Sequence, residues 1–110
     1  MILSLIELIP IAGKRSEILQ LLRFSVDRIR GKRGCLSSEV FEADDEKETI
    51  LYLERWASKE DLHRHIQSNL YLGILNATDL AVEPRGITFC EMSDIKSMDL
   101  VVALRTCSTV

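Results

Sequence analysis

The residues of this chain best suited to chemistry lie in one short segment, which reads LYLERWASKEDLHRHIQS from Leu51 to Ser68. It contains a carboxylate at Glu54, an indole at Trp56 and imidazoles at His63 and His65. An imidazole can act as a general base near neutral pH, because its ordinary pKa is about 6.5. The segment can therefore supply a base, a carboxylate and an aromatic wall to one place.

The elements that must position these groups are a strand followed by a helix. Ile50, Tyr52, Glu54 and Trp56 alternate with Leu51, Leu53 and Arg55, a period of two that predicts a strand over Thr49–Trp56 with Glu54 and Trp56 on one face. Ser58 precedes Asp61 by three residues, a spacing typical of the first turn of a helix. We therefore predict a helix from Lys59 to about Gln67 that carries both histidines.

The two histidines do not form a metal pair. His63 and His65 are two residues apart and point to different sides of a helix, whereas a pair of helical metal ligands needs a spacing of four. We expect His63 to be exposed. Cys35, Cys90 and Cys107 are odd in number and widely spaced, which disfavours disulfides and a zinc site. We expect no metal, reduced thiols and a cytoplasmic protein.

The remaining elements predict an α+β domain of the ferredoxin-like type. The order is β-α-β-β-α-β, with a four-stranded antiparallel sheet and two helices on one face. The other predicted elements are strand Ile2–Ile11, helix Lys14–Arg30, strand Leu36–Ala43, turn Asp44–Lys47, helix Asn69–Leu80 and strand Ile87–Met92. We treat 1–110 as one domain with a core of 1–93 and a C-terminal extension, 94–110, that could lie at a dimer interface. Residues 94–106 fit a short helix or an extra strand.

The first strand is apolar on both faces, so the sheet needs a cover on the side away from its helices. A second copy of the sheet is the simplest cover, since twofold dimers are the commonest oligomers. We therefore predict a homodimer. Glu7 is the carboxylate within this apolar strand, and burial would raise its pKa. Glu7 is a candidate acid or base, or else a partner for an arginine across the sheet.

Bulk composition excludes several classes of partner. The chain has 110 residues, of which 46% are hydrophobic and 28% charged, and its net charge is −3. This charge gives no reason to bind nucleic acid or an anionic membrane. The apolar start is too short to span a bilayer, which needs about 20 apolar residues. Basic residues crowd positions 14–33, which indicates either a solvated helix face or an anionic ligand near that helix.

The segment also carries a family resemblance. The pattern of an aromatic residue, Glu-x-Trp, Ser, acids, Leu, two residues and His resembles the antibiotic biosynthesis monooxygenase family. Its members here are Tyr52, Glu54, Trp56, Ser58, Glu60, Asp61, Leu62 and His65. Gly34-Cys35 resembles the Gly-Cys after the family's first helix, and the order of elements agrees up to about residue 93.

The resemblance implies a dimeric α+β barrel that binds a small aromatic or hydrophobic ligand between helices and sheet. It also implies a quinol-type monooxygenase that uses molecular oxygen and no cofactor, with His65 as the base. Trp56 and Tyr71 would shape the pocket and Glu54 would anchor the ligand. Asn69 and Phe89 would line the same cavity.

Several alternatives remain open. His65 could bond a backbone carbonyl at the helix end, while Trp56 fills core and Glu54 pairs with an arginine or bonds backbone. A non-oxidative isomerase would need an acid and base pair, such as Glu7 near His65. A non-catalytic, ligand-binding or stress-related dimer is the third possibility. The haem-degrading branch is disfavoured, because its Asn, Trp and His are replaced here by Glu7, His65 and about Leu75.

Overall fold

The computed structural model of the chain describes residues 1–82, 86–92 and 105. These residues form all of the predicted elements in the predicted order. The elements are β1 (Ile2–Leu8), α1 (Arg15–Arg30), β2 (Cys35–Glu42), β3 (Ile50–Trp56), α2 (Lys59–Ile66), α3 (Tyr71–Thr78) and β4 (Gly86–Glu91). Of the predicted extension 94–110, all but Arg105 lies outside the described residues.

The four strands form one sheet in the order β2-β3-β1-β4, and every neighbouring pair is antiparallel. This topology confirms the predicted α+β ferredoxin-like fold. The register places Glu54 of β3 between Ser4 of β1 and Ser38 of β2, and Trp56 opposite Ile2. Directly opposed residues of neighbouring strands share a face of the sheet. Glu54 and Trp56 therefore lie on the same face as Ile2 and Ser4 of β1.

The main core lies between this face and the helices. α1 turns an apolar stripe inwards. Ile18 is buried, and so are all the residues that recur at spacings of three and four, which predict such a stripe: Leu19, Leu22, Val26 and Ile29. α3 adds Ile74, which is also fully buried. The core therefore packs directly against the strand that carries Glu54.

The first strand is shorter than predicted. β1 ends at Leu8 instead of Ile11, because Pro10 has no backbone N–H with which to continue the ladder. Pro10 instead forms an isolated bridge with Ala81, and the Ile11 N–H donates to the Leu80 carbonyl. The chain after β1 is thus tied to the segment that follows α3.

The second face of the sheet is partly apolar. Leu3 is buried with Cys90 and Met92 in a small second cluster, and Met1 and Leu53 pack against it. Phe41 lies opposite Leu51 and remains 45% exposed. A homodimer formed through this face stays a prediction.

Candidate functional site

The site begins on β3, where Tyr52, Glu54 and Trp56 alternate onto the helix-facing side of the sheet. Glu54 is only 1% exposed, so its carboxylate needs hydrogen-bond donors within the protein. The Tyr52 hydroxyl donates to Oε2 of Glu54 at 2.5 Å, and Nε1 of Trp56 donates to Oε1 at 2.9 Å. Oγ of Ser38 lies 2.7 Å from the Tyr52 hydroxyl and extends the network to β2.

α2 brings the imidazole to this carboxylate. Oγ of Ser58 accepts a hydrogen bond from the Asp61 backbone N–H at 3.2 Å, which confirms the predicted start of the helix. The helix then buries Leu62 and His65. Nε2 of His65 lies 2.9 Å from Oε2 of Glu54, and the His65 side chain is fully buried.

Lys32, just beyond the end of α1, completes the network from the other side. Its Nζ lies 3.3 Å from Nδ1 of His65 and donates to Oγ of Ser68 at 2.6 Å. Because a protonated lysine can only donate, Nδ1 of His65 must be the acceptor. Nε2 therefore carries the imidazole hydrogen and donates it to Glu54. β3, through Glu54, and the turn after α1, through Lys32, thus fix one tautomer of His65 on α2.

Aromatic rings enclose the imidazole. The ring of Trp56 stacks on His65 with centroids 4.6 Å apart and an interplanar angle of 27°. The Tyr71 ring meets His65 edge-on at 5.1 Å and 80°. These contacts leave His65 a dry environment in which electrostatic interactions are stronger than in water.

The electrostatics of the site centre on Glu54. Burial raises the pKa of Tyr52 and of Tyr71, and the neighbouring Glu54 carboxylate raises both further. Burial lowers the pKa of Lys32, while Glu54 acts in the opposite direction. Both tyrosines therefore stay protonated at neutral pH, and the Tyr52 hydroxyl remains a donor to Glu54.

Two cavities flank α2. One, which we call the notch, has a volume of about 110 Å³ and is lined by Lys32, Arg33, Trp56, Asp61, Arg64 and His65. The other, which we call the α2–β4 cleft, has a volume of about 350 Å³. Its lining is Ile2, Lys59, Leu62, His63, Ile66, Phe89, Cys90 and Glu91. Of these two cavities, only the notch is lined by His65.

The structure brings together four of the residues singled out from the sequence: Glu54, Trp56, His65 and Tyr71. His65 contacts a carboxylate and a lysine, which differs from the alternative of a backbone carbonyl. Likewise, Glu54 pairs with neither an arginine nor the backbone.

Three other candidates lie elsewhere. Glu7 pairs with Leu51 on the opposite face of the sheet and is exposed, so it does not meet His65. This placement removes the expected burial of Glu7 and leaves the isomerase alternative without its acid and base pair. Asn69 is exposed, and Phe89 lines the α2–β4 cleft instead of the notch. His63 is exposed, as predicted.

Sequence reasoning missed Tyr52, Ser38, Lys32 and Ser68 as members of the network. Tyr52 could have been found from the sequence, because a residue two positions before Glu54 on a strand lies on the same face as Glu54. No pattern in the sequence distinguished Lys32, since it stands within a basic run whose other members are largely exposed. Its contact with Ser68 joins segments 36 residues apart and depends on the tertiary fold.

The described part of the chain contains no cluster of three or more His, Cys, Asp or Glu side chains arranged to hold a metal ion. Within the same residues, no helix combines the length and the apolar character needed to cross a membrane.

Comparison with known proteins decides the family. The sequence model of the antibiotic biosynthesis monooxygenase family matches residues 1–76, which include β1 to β3, α2 and the whole Glu54 network. The chain belongs to the antibiotic biosynthesis monooxygenase family. No curated protein matches the chain.

Solved structures agree with this family fold. A Mycobacterium tuberculosis protein is similar with a TM-score of 0.78 and 24% identity, over 87% of this chain and 98% of its own. A provisionally assigned antibiotic biosynthesis monooxygenase from Deinococcus radiodurans has the same TM-score and identity, over 89% and 98%. A similarly assigned Nitrosomonas europaea protein has a TM-score of 0.76 and 15% identity, over 86% and 100%. At these identities, the likeness establishes the fold of the family member described here and leaves its substrate open.

Proposed function

We propose that this family member is a cofactor-independent monooxygenase that oxidises a small aromatic or quinol substrate with molecular oxygen. His65 is the general base, Trp56 forms the aromatic wall of the notch, and Tyr71 packs edge-on against the imidazole. Family membership supports the reaction class, and the geometry of the Glu54–His65 pair supports the roles of the residues. The substrate hydroxyl would bind in the notch.

The observation that carries the proposal is the orientation of His65. Glu54 occupies Nε2 of the imidazole, so the unprotonated Nδ1 faces the lysine on the side of the notch. A carboxylate behind a histidine holds its tautomer and stabilises the imidazolium that forms when the other nitrogen takes up a proton. The pair is thus arranged to receive a proton on Nδ1.

The chemistry follows from a proton transfer. Nδ1 of His65 takes the proton of a quinol hydroxyl, and the electron-rich anion that remains passes an electron to dioxygen. Recombination forms a carbon–oxygen bond, and cleavage of the oxygen–oxygen bond releases the second oxygen atom as water. The sum is quinol plus dioxygen giving hydroxyquinone plus water, so the substrate supplies every electron.

The neighbours of His65 assist this step. Lys32 contacts Nδ1 at 3.3 Å, a long hydrogen bond that a substrate hydroxyl can replace. The displaced ammonium then lies beside the new oxyanion and stabilises it. Trp56 lines the notch and gives the reacting hydroxyl an apolar wall, and Tyr71 shields the edge of the imidazole.

The test is oxygen uptake with a panel of reduced quinones and polyphenols, comparing wild type with His65→Gln and His63→Gln. We expect His65→Gln to lower kcat about 100-fold or more, since a positioned base contributes roughly 10²–10⁴-fold. Uptake that depends on His63 instead would move the reaction to the α2–β4 cleft. No uptake by the wild type across the panel would overturn the oxygenase proposal.

A second candidate function is the binding of an apolar ligand without chemistry. It is favoured by the α2–β4 cleft, whose volume lies in the range of ligand pockets, about 300–1,000 Å³. Phe89 and Ile66 line this cleft and remain partly exposed, so an apolar ligand could cover both. Tight binding of an aromatic probe that Phe89→Ser abolishes, with no oxygen uptake, would select this function.

A further inference from the structure

The notch beside His65 has a positively charged rim. Lys32, Arg33 and Arg64 line it together with a single carboxylate, that of Asp61. The carboxylate of Glu54 lies behind the imidazole, where its three donors already engage it. A ligand entering the notch therefore meets three cations and one acid.

The one acid on the rim is already engaged. Asp61 accepts hydrogen bonds from Oγ of Ser58 at 2.9 Å and from Nη1 of Arg64 at 3.0 Å. Its pKa is lowered mainly by the Ser58 hydrogen bond and further by Arg64 and Arg33. Arg64 forms an ion pair with Asp61, whereas Lys32 and Arg33 form no direct ion pair in the described part of the chain, and Arg33 acts on Asp61 as a nearby charge.

We propose that the notch is a carboxylate-binding subsite and that the preferred substrate is a quinol bearing a carboxylate beside its reactive hydroxyl. This inference rests on the proposed oxygenase function and names the substrate class for it. Arg33 binds the carboxylate, because a guanidinium offers two parallel donors that match its two oxygens. Lys32 contacts the adjacent hydroxyl oxygen as His65 removes its proton.

The size of the notch suits the polar edge of one ring. Its volume of about 110 Å³ is smaller than the cavity of about 150 Å³ that encloses benzene in an engineered protein. A ring can therefore place its hydroxyl and carboxylate in the notch while its remaining atoms stay outside. The basic run noted in the sequence supplies two of the three cations, Lys32 and Arg33.

Trp56 can serve as an intrinsic fluorescence probe for ligand binding in the notch. It is the only tryptophan of the chain, and the indole lines the notch and stacks on His65. We expect Trp56 fluorescence to respond to benzoate, with benzoate binding about tenfold more tightly than methyl benzoate. A charge-assisted hydrogen bond is sufficient for such a factor.

Arg33→Gln should reduce this preference to within about twofold, since it removes the guanidinium from an exposed position. The matched control is Arg28→Gln, which removes the same charge from an exposed position on α1, where Arg28 stacks over Phe24. The control should retain the wild-type preference. Equal affinities for acid and ester in the wild type, or equal losses in both variants, would overturn the subsite.

Inorganic phosphate tests the class of anion. Displacement of benzoate by phosphate at similar concentrations would replace the carboxylate assignment with a general anion site. Oxygen uptake with 2,5-dihydroxybenzoate and with unsubstituted hydroquinone then separates the two proposals. Uptake that is equal for both substrates contradicts the subsite but retains the oxygenase. Benzoate binding without any uptake retains the subsite and contradicts the oxygenase.

Discussion

Glu54 has three donors around a carboxylate that is almost completely buried, and the donors come from two elements. A glutamine cannot replace it without conflict. Nε1 of Trp56 can only donate, and His65 must donate from Nε2 while Lys32 occupies Nδ1. An amide nitrogen at position 54 would therefore face one of these donors.

We expect Glu54→Gln to lower the free energy of unfolding by about 1–3 kcal/mol, the usual cost of an unsatisfied buried donor. It should also lower oxygen uptake, because His65 loses its fixed tautomer. Urea denaturation followed by Trp56 fluorescence measures the first effect. The control is Glu39→Gln, an exposed carboxylate on β2 that should change stability by less than about 0.5 kcal/mol. Equal losses in the two variants would contradict the special role of Glu54.

The tyrosines give a prediction for alkaline pH. Tyr52 and Tyr71 are the only two in the chain, and both pKa values are raised in the folded state, from a reference of 10.0. The folded protein therefore retains protons that the unfolded chain loses, and stability should fall as the pH rises above about 10. Tyrosinate absorbance should appear together with unfolding. Ionisation of both tyrosines in a protein that remains folded would contradict this.

At the scale of residues, alternation along the strands was the main sequence signal for which candidate residues lie together. It placed Glu54 and Trp56 on one face, and that face proved to be the one that contacts His65. The same alternation assigns Glu7 to the set of Leu3 and Leu5, but only the pairing with β3 shows that this set faces away from the site. A sequence alone does not give the register that decides between the two faces.

At the scale of elements, the turn between α1 and β2 packs closely against the start of α2. Gly34 has a positive φ of 84°, and a Cβ atom there would lie 2.2 Å from Cγ of Asp61. Its carbonyl also accepts the Ala57 N–H at 2.8 Å. This glycine therefore lets the start of α2 pack directly against the turn that carries Lys32.

We expect Gly34→Ala to destabilise the protein by about 2–4 kcal/mol, from the strained backbone and the overlap with Asp61. Gly31→Ala is the control, because Gly31 has a negative φ and a Cβ there would make only an ordinary contact of 3.6 Å. Chemical denaturation of both variants measures the difference. A loss at Gly34 no larger than that at Gly31 would show that the turn can adjust.

The helices and strands were largely predictable, because the patterns that determine them involve residues close together in the sequence. The apolar stripe of α1 and the Ser58 cap of α2 depend on neighbours within a few positions, so the sequence contains what is needed. The position of Lys32 depends instead on tertiary packing, because the α1–β2 turn must pack against the end of α2 to bring Lys32 to His65 and Ser68. Its role in the site could not be read from the basic run in which it stands.

At the scale of the whole molecule, the second face of the sheet bears on assembly. Leu5, Leu51 and Leu53 are only partly buried there, and Phe41 is 45% exposed. We expect the chain to be a dimer at micromolar concentration, with these side chains covered by the second copy. Phe41→Asp should shift the equilibrium to monomer, as measured by sedimentation or light scattering.

The control for assembly is Phe24→Asp. Phe24 is 60% exposed on α1, on the helix side of the sheet, so a charge there should leave the dimer intact. A wild-type monomer at micromolar concentration, or loss of the dimer in the Phe24 variant alone, would contradict an interface through the second face.

The contacts between α2 and the sheet bear on which states of the protein keep the candidate site assembled. α2 has eight residues and buries only two side chains, Leu62 and His65. A helix this short is not stable by itself in water, so it depends on its contacts with the rest of the fold. In the proposed mechanism, local opening of α2 would withdraw His65 at the moment the interior is exposed to solvent. A partly opened molecule would then admit oxygen and substrate without the base that starts the reaction.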